Sequence, residues 1–232
     1  MKKNKMMRIA SVLLIAVLMT TCAISGTFAK YVTEANSEDS ARVAKWGVTV
    51  TASTGASFAD AYKTHDGEYS GALSVEADEK VVAPGTSSED VDGEVTFVIT
   101  GTPEVATRIT FDVEATSEIK LDAGDYLDYT TADDTTDEFT LAEEYYPVKF
   151  TLTKTTDSGV ETLVDAGTLS DVAAELNGEN ADYNAGVTLD VTYTLTWEWA
   201  FDGNDKADTY LGNEAPAQTL GYTLNVVVEQ ID

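Results

Sequence analysis

The chain has 232 residues, with 14 Lys and Arg against 41 Asp and Glu, a formal net charge of −27. Such acidity argues against nucleic acid and anionic membrane surfaces as partners. With 43% hydrophobic residues and one cysteine, the chain is neither a disordered tail nor a disulfide-stapled module. The first element is a leader. Lys2, Lys3, Lys5 and Arg8 precede an apolar run over residues 9–19 that is interrupted only by Ser11. The run suits a signal-peptide core and is too short to span a bilayer core of about 30 Å as a helix. Small residues follow, and Thr27 and Ala29 fit the −3 and −1 positions of a cut between Ala29 and Lys30, with Phe28 between them. Residues 1–29 are therefore read as a signal peptide, residues 30–41 as a free N-terminal segment and residues 42–232 as one domain. The leader holds four basic residues and no acid, which leaves 10 basic against 41 acidic residues, a net −31. Cys22 lies before the cut, so the mature chain has no thiol for a disulfide or for catalysis. Nothing after residue 228 resembles a sorting motif or an apolar anchor, and no membrane anchor is expected in the mature chain.

Residues 30–40 are polar and weakly patterned. From Arg42 the pattern sharpens: Trp46, Val48, Val50 and Ala52 share one face of a half-buried strand. Residues 53–79 read as loops with one short strand near 73–75. Val95, Phe97 and Ile99 form one strand face, and Ile109, Phe111 and Val113 another. Residues 122–144 read as an acidic, turn-rich insert. Val148, Phe150 and Leu152 resume the alternation, and Thr156-Asp157-Ser158-Gly159 reads as a hairpin turn. Residues 169–176 carry the one helix signal, with Ser170 as its expected cap and Gly178 as its stop. Every second residue from Val187 to Phe201 is apolar, including Trp197 and Trp199. Fifteen residues of period two would span about 50 Å, so a bend or bulge is expected there. Leu220, Tyr222, Leu224, Val226 and Val228 mark a last strand.

Strands with one apolar face and one Thr- and acid-rich face specify an all-β class, an antiparallel β-sandwich with one short helix. Patterning alone does not separate a jelly roll from an immunoglobulin-like topology. No catalytic constellation stands out, and the chain is not expected to be an enzyme. His65 is the only histidine, and no HExxH helix accompanies it. With 41 acids a glycosidase-like carboxylate pair could be chosen anywhere. No cofactor is expected. One loop, from Asp202 to Asp208, offers Asp202, Asn204, Asp205 and Asp208 around Gly203 as calcium ligands, without the later Glu of an EF-hand. Trp197, Trp199 and Phe201 continue the apolar register and are expected in the core, with an exposed sugar-stacking face as the alternative.

Gly26-Thr27-Phe28-Ala29-Lys30-Tyr31-Val32 and Asp39-Ser40-Ala41-Arg42-Val43-Ala44-Lys45-Trp46-Gly47-Val48 resemble the start of the TasA/camelysin group, Firmicutes proteins with a SipW-dependent-type signal peptide. Ala83-Pro84-Gly85-Thr86, residues 101–106 and Asp208-Thr209-Tyr210-Leu211-Gly212 resemble segments of its clostridial members. The resemblance implies processing by a signal peptidase of SipW type and secretion from a Gram-positive cell. It also implies a jelly-roll fold and assembly into extracellular matrix (biofilm) fibres or a surface layer. The implied mechanism is strand donation: after cleavage the segment beginning Lys30-Tyr31-Val32-Thr33 pairs with the sheet edge of the next subunit, giving a head-to-tail homo-oligomer. The alternatives are a non-polymerising carbohydrate- or ligand-binding module and a camelysin-type metalloprotease, the latter without a zinc motif to support it.

Overall fold

The period-two pattern over residues 187–201 becomes the central strand of the molecule. The computed structural model describes residues 42–53, 56–63, 70–76, 78–131, 137–214 and 216–231. The chain divides into two units, Met1–Val43 and Ala44–Asp232, and the fold below is that of the second. In chain order its strands are β1 (Val48–Ala52), β2 (Ala61–Lys63), β3 (Ser70–Leu73), β4 (Thr86–Ser87), β5 (Val95–Gly101), β6 (Thr107–Ser117), β7 (Gly124–Leu127), β8 (Glu138–Leu141), β9 (Val148–Thr156), β10 (Gly159–Gly167), β11 (Ala181–Tyr183), β12 (Leu189–Trp199) and β13 (Gly221–Gln230). Helix α1 (Leu169–Gly178) lies between β10 and β11, and α2 (Asp205–Asn213) between β12 and β13.

The larger sheet has the order β1-β5-β12-β9-β10, with β4 paired to the end of β12, and the second sheet has the order β11-β6-β13. All these pairs are antiparallel. Leu189, Val191, Tyr193, Leu195, Trp197 and Trp199 are buried on one face of β12. From the second sheet, Ile109, Phe111 and Val113 of β6 meet them, with the Phe111 and Tyr193 rings 4.7 Å apart at 70°. The result is an antiparallel β-sandwich, as its alternation requires.

Helix α1 closes one flank. Leu169, Val172 and Leu176 are buried, and the helix packs on β6, β9 and β10. The Asn177 side chain accepts from the Val113 N–H and donates to its C=O, both at 2.8 Å, doing what a neighbouring strand would do. β6 faces β12 and α1 lies toward β9 and β10, so β13, on the other side of β6, lies toward β5 and β1. The loop after β1 agrees: Phe58 packs on both Trp197 and Tyr222, and Ser57 and Tyr222 share a hydrogen bond.

Several expectations are corrected. The α1 cap is Thr168, not Ser170: its side chain accepts from the Asp171 N–H, and the Asp171 carboxylate accepts from the Thr168 N–H and hydroxyl. Ser170 bonds Glu118 instead. The long strand is 11 residues, because the chain turns after Trp199 and leaves Phe201 72% exposed. The acidic insert holds the β7–β8 hairpin, and residues 53–79 hold the β2–β3 hairpin. β1 is more exposed than half-buried, with Trp46 and Val50 each 40% exposed. A second helix, α2, starts inside the expected calcium loop.

Candidate functional site

Four strands end the two sheets among the described residues, and they differ in how far they resist a new strand. β10 carries two register shifts along Gly159–Gly167 and the charges of Glu161 and Asp165. β11 is three residues long, and its Asp182 is tied to Arg108 at 2.6 Å. Bulges, charge and shortness are the usual protections of an edge. β1 (VTVTA) has neither a charge nor a bulge. β13 has ten residues, one charge in Glu229 and a single register shift at its start, so it offers an edge of about 30 Å.

The two unguarded edges lie on the same flank of the sandwich. The inward positions of β1 are Val48, Val50 and Ala52, opposite Gly101, Ile99 and Phe97 of β5. Those of β13 are Leu224, Val226 and Val228, none fully buried. Among the described residues this flank therefore combines backbone edges without a strand partner and an incompletely covered apolar strip, the two things an added strand requires. The entry to β1 is fixed by two glycines. Gly101 has φ +139°, and a Cβ there would sit 1.9 Å from the Gly47 carbonyl oxygen. Gly47 itself has φ +62° against the Thr102 carbonyl. Only glycine lets the backbones approach this closely.

The cleavage junction Thr27, Phe28, Ala29 and Lys30, the donor residues Tyr31, Val32 and Thr33, and His65 all lie outside the described residues. The calcium candidates differ in exposure. Asp202, Asn204 and Asp205 are exposed, whereas Asp208 is buried and accepts a 2.6 Å hydrogen bond from the Tyr145 hydroxyl. Burial pushes the Asp208 carboxyl above its usual range, against the opposing pull of Tyr145 and of the nearby Trp199 indole. The indole N–H lacks a partner of good hydrogen-bond geometry. Among the described residues no three His, Cys, Asp or Glu side chains gather as a metal site. No helix among them is long and apolar enough to cross a membrane.

Of the three aromatics expected in the core, Trp197 and Trp199 are buried there and Phe201 is exposed. Trp197 and Trp199 are 3% and 5% exposed, and the Trp197 indole N–H donates to the Ser57 carbonyl at 2.8 Å. Two charged contacts were not anticipated. Asp128, 1% exposed, takes Lys206 at 2.6 Å and two bonds from Thr130, pinning the acidic insert to α2. The Lys206 ammonium holds the Asp128 carboxyl below its usual range, helped by Thr130. Lys154 pairs with Glu179 at an inward position of β9, opposite Tyr193. The alternation Val148, Phe150, Leu152 already placed Lys154 on that face. Searches against protein-family models and curated proteins found no match.

Proposed function

We propose that the chain is a secreted structural subunit of extracellular matrix fibres or a surface layer, assembled by N-terminal strand donation once a SipW-type signal peptidase has removed the leader. The observation that carries this reading is the flank where β1 and β13, the two unguarded edges, border an incompletely covered apolar strip. A donated segment supplies backbone partners to such an edge, and alternate side chains fill the strip. Tyr31 and Val32 are the anchors at the freed end, each contributing about 1.5–3 kcal/mol if fully buried. A head-to-tail contact that does not close on itself propagates as a filament. Uncut leader holds the segment back from donation.

Electron microscopy of three forms tests this: the leader-bearing chain, the chain beginning at Lys30, and the chain lacking residues 30–40. Fibres are expected from the second alone, with unchanged circular dichroism in the third. Normal fibres from the shortened chain would remove strand donation by this segment. Loss of its fold would assign the segment to its own sandwich.

A further inference from the structure

The outward face of the larger sheet differs from the rest of this acidic molecule. Thr192, Thr194 and Thr196 of β12 stand directly opposite Thr155, Thr153 and Thr151 of β9, a double row of hydroxyls with no carboxylate among them. At the Thr196–Thr151 end the row opens into a surface groove of about 560 Å³, within the range of small-ligand sites. Its lining includes Phe201, Ser87, Lys149, Thr151, Thr196 and Glu198. Phe201 is 72% exposed, yet it is not loose at the surface. Its ring and Cβ rest against Gly85, where a Cβ would come within 3.0 Å of the ring, and the positive φ of +81° at Gly85 also demands glycine. The turn after Trp199 and the Pro84-Gly85 turn together present one aromatic ring beside a hydroxyl-rich floor. Asp90 holds Ser87 from both its N–H and its hydroxyl, each at 2.9 Å. Lys149 and Glu198 are cross-strand partners, both exposed.

We propose that this groove binds a neutral oligosaccharide, with Phe201 as its stacking platform. The ring offers a flat apolar surface to the C–H face of a sugar. Ser87 and Thr196, whose hydroxyls donate to the Asp90 carboxylate and the Thr151 carbonyl, can accept, Thr151 can donate, Glu198 accepts and Lys149 donates, which matches a ligand whose polar groups are hydroxyls. The threonine double row continues that surface along the sheet for a longer chain. An anionic glycan is excluded by charge: Glu89, Asp90 and Glu198 outnumber Lys149 in the lining, within a chain of net −27. A purely apolar ligand would leave the hydroxyls and both charges without partners.

Isothermal titration of the purified secreted chain tests this with cellohexaose, maltohexaose, mannohexaose and N-acetylchitohexaose, and with hexagalacturonate as the anionic control. Binding of at least one neutral hexasaccharide is expected, with none of hexagalacturonate. Phe201→Ala should weaken that binding at least about tenfold while Phe201→Tyr retains it. Glu198→Gln is a second variant at an exposed position, and a severalfold loss is expected from it. No binding of any neutral hexasaccharide, undiminished binding by both Phe201→Ala and Glu198→Gln, or equal binding of hexagalacturonate would overturn the assignment. The titration is indifferent to polymerisation, so failure here leaves the fibre proposal standing, and failure of fibre formation leaves this one.

Discussion

Asp208 shows how one carboxylate can be misread when only its neighbours in sequence are known. The spacing from Asp202 to Asp208 suggests an oxygen-lined loop, but the helical turn that begins at Asp205 carries Asp208 inward to Tyr145. Its pKa is raised from the usual 3.8 chiefly by desolvation. The folded state therefore holds this proton more tightly than the unfolded chain, and the group's contribution to stability falls as pH rises above 3.8. Asp208→Asn keeps an acceptor for Tyr145 and removes the buried charge. It should melt higher than the parent at pH 7, and the difference should vanish at pH 3. A lower midpoint at pH 7 would mean that the charge itself is stabilising there. Gly101 gives the complementary case, in which the sequence shows a glycine but not its reason. Gly101→Ala combines a positive φ with a contact onto the Gly47 carbonyl and should cost roughly 1–3 kcal/mol in chemical denaturation. Gly159→Ala has φ +126° but nothing within 4 Å, so it should cost less. Equal losses would assign the whole effect to backbone conformation.

At the scale of elements, patterning located those with a sustained apolar alternation and missed the short ones whose few apolar side chains meet across distant segments. The alternations at Val95 to Ile99, Ile109 to Val113 and Val148 to Leu152 became β5, β6 and β9 because each needs a dry partner. β7, β8 and α2 escaped notice because Tyr126, Phe139 and Tyr210 cluster across segments dominated by acids. The α1 boundary was legible to within two residues, but its cap was not: Thr168 and Ser170 are both plausible donors of a capping oxygen, and only the reciprocal Asp171 contact chooses. Thr168→Ala should cost about 1 kcal/mol, a lowering of about 2–4 °C in the melting midpoint, and Ser170→Ala less. Asp171 is held below its usual 3.8 mainly by the Thr168 N–H and hydroxyl. Its share of that stability is therefore present above pH 3.8 and is lost as pH falls through the depressed value. A Ser170→Ala loss larger than that of Thr168→Ala would return the cap to Ser170. The edges invite a separate comparison. Val50→Lys places a charge on the inward side of unguarded β1, where the side chain is 40% exposed, and should abolish fibres while leaving the monomer folded. Val160→Lys, 69% exposed on guarded β10, should leave fibres intact. If the two variants behave alike in microscopy, β1 is not part of the accepting edge.

For the whole molecule, the acidity is legible in sequence, whereas the matching of two edges on one flank is a property of topology alone. Residues 30–232 carry 10 basic and 41 acidic residues, so subunits of the proposed head-to-tail fibre would repel one another. The proposed strand donation would rest on backbone hydrogen bonds and apolar anchors, which salt screens little. The screening length falls from about 30 Å at 0.01 M ionic strength to about 8 Å at 0.15 M, shorter than the width of the sandwich and its neighbour. Raising sodium chloride over this interval should therefore speed fibre growth, read by light scattering with seeds of fixed number, while leaving the fibre's appearance unchanged. Calcium chloride matched for ionic strength should accelerate growth to the same degree, because Asp202, Asp205 and Asp208 are not gathered around a common point. Growth that slows with salt would mean that the subunits are held by ion pairs, and the apolar flank of β1 and β13 would then not be the assembly surface. Acceleration specific to calcium would instead place carboxylates from two subunits at the joint.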